Sequence, residues 1–239
     1  MRLLLASKSP ARRLTLINAG VDPLVMVSDV DEEAVLAALP GGRAFSGGTT
    51  TPGDEVTALA AAKCERVVDT LLSTPADSLP DIPADEDLLV VGCDSMLELE
   101  GRMLGKPHTA EVAVRRIRDM RGKTAILWTG HCAALVSAAG RPDSAHPSTH
   151  ALIASTREQA STKVHFGQMS DAEIEAYVAT GEPLHVAGSF TIDGLGGPFI
   201  SGVEGDHHSV VGISLPLVRR MAADLGVFWP DLWAMTRKR

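Results

Sequence analysis

The stretch LLVVGCD at positions 88–94 constrains the fold more than any other. Its apolar residues run without alternation, so a strand built from them is buried on both faces. A second run, Leu3–Leu5, reads the same way. Behind it, Ser9 and Pro10 read as an N-cap and a favoured first helical residue. Leu14, Ile17 and the closing Gly20 complete a helix of about three turns. Strand and helix signals alternate in the first half. In the second half TAILWTGHCAALVS and STKVHFGQM pair as strands. The pattern predicts an α/β fold with a mixed twisted sheet and flanking helices.

Between these elements, LVMVSDVDEEAV (24–35) reads as a strand running into an acidic loop. Asp54 opens a long helix ending near Ser73. Thr109 caps a helix carrying Ala110, Ala113, Ile117 and Met120 up to Gly122. Ser170 and Glu173 form a capping box for a helix that stops near Gly181. The Gly-rich AGSFTIDGLGGPF is followed by a strand pair, and Pro216 begins a last helix. No repeat or linker divides residues 1–239, so a single domain is expected. Residues 40–53, 74–87 and 138–150 read as surface loops or insertions.

Composition excludes several functions. A net charge of −8 argues against coating nucleic acid, and 4% aromatic residues are too few for a base-stacking platform. Cys64, Cys93 and Cys132 form no CxxC pair, so neither a disulfide framework nor a zinc site is suggested. No apolar run has the length of a signal peptide or a membrane span, which makes the cytoplasm the expected location.

Four positions break their local rule. Arg12 and Arg13 fall in the first turn of a helix, where the macrodipole disfavours cations by about 0.3–1 kcal/mol each. With Ser7 and Ser9 beside them, they read either as a solvated helix face or as an anion site. Lys63 lies inside the apolar stripe of Val56, Leu59, Ala60, Cys64, Val67 and Leu71, where it must snorkel or meet an anion. Asp94 ends the buried strand, at the sheet edge where α/β proteins gather ligands. Lys106, in a turn, and the acidic DVDEE at 29–33 add a further cation and candidate metal ligands. Adjacent His207 and His208 cannot easily share one ion, and Trp128 and Trp229 read as packing residues. No P-loop, GxSxG, HExxH or placed GxGxxG is present. Several cations with a strand-end carboxylate suit a polyphosphate, a divalent metal and attack by water.

The ordered motifs LLLASKSPARR, VDE, AAAKCERV, VVGCDS, GRMLGKP, MSDAEIEAYVATGEPLHVAGSF, IDGLGG and EGDHHSVVGISLPL resemble the Maf family of nucleoside triphosphate pyrophosphatases over nearly the whole chain. The resemblance implies two lobes around a deep nucleotide-binding cleft and a homodimer. It implies Mg²⁺- or Mn²⁺-dependent hydrolysis of (d)NTPs or modified NTPs to NMP and pyrophosphate. That chemistry would clear non-standard nucleotides, with a link to cell division arrest. By the same resemblance Asp94 is the proton acceptor, and Ser7, Arg12, Arg13, Lys63 and Lys106 bind phosphate. Glu32 and Asp94 are the metal candidates. Ala11, Ser95 and Asp193 stand where the better-known branches carry other residues, so these three are the specificity positions. The family's link to septum formation raises a second reading, a nucleotide-binding regulator that does not hydrolyse. Such a sensor needs no base, and the intact Asp94 favours the enzyme.

Overall fold

The computed structural model describes residues 1–140 and 148–235. Its elements, in chain order, are β1 (Arg2–Leu5), α1 (Pro10–Asn18), β2 (Leu24–Val25), α2 (Glu32–Ala37), α3 (Pro52–Ser73), β3 (Leu88–Leu99), β4 (Arg102–Leu104), α4 (Ala110–Met120), β5 (Thr124–Ser137), β6 (Ala151–Phe166), α5 (Asp171–Ala179), β7 (Ile200–Glu204), α6 (His207–Val211) and α7 (Leu215–Asp224). The sheet runs β2-β1-β3-β5-β6-β7, with β4 also on β3. β1 is parallel to both its neighbours, and every other pairing is antiparallel. The mixed α/β architecture is the one expected.

β3 is the spine because its residues enter three cores in turn. Leu89, Val91 and Cys93 pack on one face with α1 and α7. Leu88 and Val90 pack on the other face against α3. Leu97 and Leu99, farther along, join a separate core with α4 and α5. β1 stops pairing at Leu5, opposite Val91, while β3 continues. Asp94 and Ser95 therefore sit between two hydrophobic masses, where the sheet has lost a neighbouring strand. Period-2 alternation sends Asp94 to the α3 face and Ser95 to the α1 face. Close approach of α3 depends on two glycines. A Cβ on Gly92 would stand 2.4 Å from the Ala60 carbonyl oxygen, and one on Gly130 would stand 2.2 Å from that of Val56.

Several boundaries differ from the sequence reading. Asp94, read as the end of its strand, lies within β3, which runs on to Leu99 because residues 95–98 stay paired with β5. α3 begins at Pro52, two residues before Asp54, because Thr51 and Asp54 form a reciprocal capping box. The acidic DVDEE is not all loop: Asp31 caps α2, and Glu32 and Glu33 occupy its first turn, where the dipole favours them. HHSVV is the helix α6, so β7 has no following partner strand. β6 starts at Ala151 rather than near Ser161. The 74–87 loop contains a single 3₁₀ turn, Ala76–Ser78, and buries Ala76 and Ile82. Of the 138–150 loop, residues 141–147 lie outside the described residues.

Candidate active site

Lys63 is positioned by α3 and Asp94 by β3, and the two meet. Lys63 Nζ lies 2.5 Å from Asp94 Oδ1 and 2.7 Å from Glu32 Oε1. One ammonium thus joins a carboxylate from the sheet to one from the first turn of α2. The Lys63 side chain is 14% exposed and that of Asp94 11%, so the pair is largely desolvated. Burial pushes the Asp94 carboxyl above its ordinary range, against the opposing pull of Lys63 and Arg12. Burial acts the same way on the half-buried Glu32, but Lys63, with Lys106 and Arg12 farther off, holds it below its ordinary range. The anion that Lys63 was expected to meet is therefore a pair of carboxylates.

Arg12 is held by three acceptors. Its Nε donates to the Gly212 carbonyl at 2.7 Å, Nη1 to Ser7 Oγ at 3.1 Å and Nη2 to Ser95 Oγ at 3.3 Å. Ser9 caps α1 through the Arg12 amide, and Ser7 Oγ also accepts from the Ser9 amide. Of the five guanidinium N–H groups, two remain without a partner among the described residues and can serve an anion. Thr129 Oγ1 donates to the Ser209 carbonyl at 3.0 Å. The 3.0 Å contact between Ser95 and Thr129 must then be donated by Ser95. A directed chain runs from Arg12 through Ser95 and Thr129 into α6.

The remaining sequence candidates are placed less centrally. Lys106 is exposed, and its charge acts on Glu32. Arg13 pairs with Asp22, with 4.0 Å between charged atoms. With Ser7, Pro10, Leu14 and Val25 it lines a cavity of about 220 Å³ at the start of α1. Ala11 is half-buried in α1. Asp193 is exposed in the Gly-rich loop. That loop is tied down by Glu182, which accepts from Thr191 Oγ1 (2.5 Å), Tyr177 Oη (3.1 Å) and the amides of Leu195 and Gly196. Sequence reasoning passed over Glu182, Thr129, Gly212 and His131. The Gly-Glu-Pro turn was the one available signal for Glu182; the other three act across long stretches of chain.

Two carboxylates converging on one small cation are a donor set suited to a hard divalent ion. Mg²⁺ in particular is usually bound by one or two carboxylates plus substrate phosphates. Among the described residues no group of three or more His, Cys, Asp or Glu side chains clusters for a metal. No described helix is long and apolar enough to cross a membrane.

A model of the Maf-like protein family matches residues 2–225. A nucleoside triphosphate pyrophosphatase from Nocardia farcinica is 47% identical over 97% of this chain and 96% of its own length. Enzymes of the same name from Streptomyces coelicolor and Mycobacterium ulcerans are 47% and 45% identical over 98% of this chain, covering 95% and 97% of theirs. The Asp94 carboxylate in the middle of β3, its α3 partner Lys63 and the Arg12 of α1 thus lie within the matched segment, and the chain belongs to the Maf family.

Proposed function

We propose that this protein is a nucleoside triphosphate pyrophosphatase, hydrolysing its substrate to nucleoside monophosphate and pyrophosphate at the Asp94 site. The observation that carries the reading is the desolvated Asp94, whose carboxyl burial pushes above its ordinary range while Lys63 holds one of its oxygens. Near-full-length similarity to enzymes of that name supports the same activity. With Oδ1 taken by Lys63, Oδ2 is free to accept a proton from a water placed against the α-phosphorus. A carboxylate whose pKa is displaced upward is a better general base near neutral pH. Arg12, with two N–H groups uncommitted, is suited to a bidentate grip on phosphate oxygens. Lys63 and Lys106 add positive charge where the departing pyrophosphate accumulates negative charge. A divalent ion such as Mg²⁺ or Mn²⁺, held by Glu32 beside Asp94 together with phosphate oxygens, would supply further charge neutralisation and orientation. A non-hydrolysing nucleotide sensor has no use for such a base.

The exposed carboxylate of Asp193, on the loop that Glu182 anchors, is the candidate reader of the base. While ionised it accepts hydrogen bonds and cannot donate them, which favours a donor-rich guanine edge. Hydrolysis of a triphosphate panel in isotopically labelled water tests the reaction itself. Attack at the α-phosphorus puts the label in the monophosphate and releases unlabelled pyrophosphate. Release of orthophosphate instead would refute the assignment.

A further inference from the structure

We infer that His131 is a positioning residue for Arg12, acting through the Gly212–Ser214 turn that joins α6 to α7. The inference rests on the reading of Arg12 as a phosphate ligand. The shortest hydrogen bond that Arg12 donates, 2.7 Å from Nε, goes to the Gly212 carbonyl. That carbonyl belongs to a glycine at φ +118°, a conformation other residues rarely adopt, and a Cβ there would stand 3.0 Å from Arg12 Nε. The turn is thus built so that backbone, not side chain, faces the guanidinium.

What fixes the turn is β5. Thr129 and His131 are two residues apart, so they project from the same face of the strand. Thr129 Oγ1 holds the Ser209 carbonyl on α6. His131 Nε2 accepts from the amide of Ser214, the N-cap of α7, at 2.9 Å. The two contacts bracket Gly212. The ring is fully buried, and burial together with the Arg12 charge lowers its pKa to about 4. At neutral pH it is therefore uncharged with Nε2 free to accept, which places the proton on Nδ1. Nδ1 reaches only the Thr129 backbone, without a well-formed hydrogen bond. A side chain serving only to fill this core could be apolar.

The test compares His131→Gln, which keeps an acceptor for the Ser214 amide, with His131→Leu, which does not. Should leucine fail to fold, methionine, flexible and similarly apolar, serves as the non-accepting variant. The first readout is the Arg12 Nε–H resonance in nitrogen-labelled protein without nucleotide. A slowly exchanging signal is expected in the parent and in the glutamine variant, and its loss in the leucine variant. The second readout is steady-state hydrolysis. The leucine variant should raise KM and lower kcat/KM by about ten- to a hundredfold, as expected for a misplaced binding group. Glutamine should restore most of that loss, and in an Arg12→Ala background the leucine change should cost less than about threefold more. An Arg12 signal that survives the leucine change, or an undiminished leucine effect without Arg12, overturns the inference. Normal turnover by Arg12→Ala alone would instead refute the phosphate-binding reading, while the resonance still reports whether His131 positions the side chain.

Discussion

Replacing Lys63 with methionine separates a lysine that merely snorkels from one that balances buried charge. Methionine fills a helix position in an apolar stripe well, so on packing grounds alone the variant should be at least as stable as the parent. The structure predicts otherwise at neutral pH. Lys63 Nζ contacts both Asp94 and Glu32, and the Asp94 side chain is 11% exposed. Removing one partner of a buried ion pair costs about 3–5 kcal/mol when the other charge must persist. Asp94 can escape part of that cost by binding a proton, which raises a folded-state pKa that burial already holds above its ordinary value. A carboxyl with a raised folded pKa contributes stability fully below its unfolded pKa and loses it as pH rises through the folded value. The variant should therefore be about 2–4 kcal/mol less stable than the parent at pH ~8. The deficit should shrink steadily as pH falls and Asp94 takes up a proton, which leaves the parent with a partly stranded ammonium. Urea unfolding of both proteins at several pH values measures this directly. A deficit that is constant with pH, or larger in acid, would refute the ion-pair account.

Three further outcomes follow from the same structure. His131, with a pKa of about 4 when folded, takes up a proton on unfolding at any pH between that value and its unfolded value near 6.5. Stability should fall by about 3 kcal/mol as pH drops through this window, and His131→Gln should flatten that part of the pH profile. Gly92→Ala should destabilise the fold by about 1–3 kcal/mol, because the new methyl group meets the Ala60 carbonyl and Cys64 Cβ. It should also depress hydrolysis by displacing neighbouring Lys63, and thermal melts with pyrophosphate release check both effects. Asp193→Gln should move kcat/KM toward UTP and dTTP relative to GTP and 7-methyl-GTP by about one to two decades. An unchanged ranking would show that Asp193 does not read the base.

Local chemistry made much of this fold legible in the sequence. The Ser9 and Thr109 caps, the Ser170–Glu173 capping box and the uninterrupted apolar run of β3 all formed as read. Elements whose local signal was weak or misleading were not legible. α2 has six residues, too few for a helical period, and α6 places two valines where a strand is the natural reading. Its helical form follows from the Asp206 cap and the positive φ of Gly212. The first half of β6 is mostly exposed and carries no regular apolar alternation, so its pairing with β5 is what makes it a strand. The site divides in the same way. Arg12, Lys63 and Asp94 could be singled out because each violates a rule of its own helix or strand. Arg13 violates the same rule as Arg12, yet its charged partner is Asp22 rather than the Ser7–Ser95 network. Thr129, His131 and Glu182 violate nothing locally. Their importance lies in contacts with Ser209, Ser214 and the 191–196 loop, and for the first two these reach across eighty or more residues.

The central claim is that Asp94 activates the attacking water, and Asp94→Asn tests it most directly. The substitution keeps the shape and leaves Lys63 an oxygen to contact, so nucleotide binding measured by calorimetry should persist. Pyrophosphate release under saturating triphosphate and divalent metal should fall by about 10²–10⁴. Release within a few-fold of the parent would contradict the account.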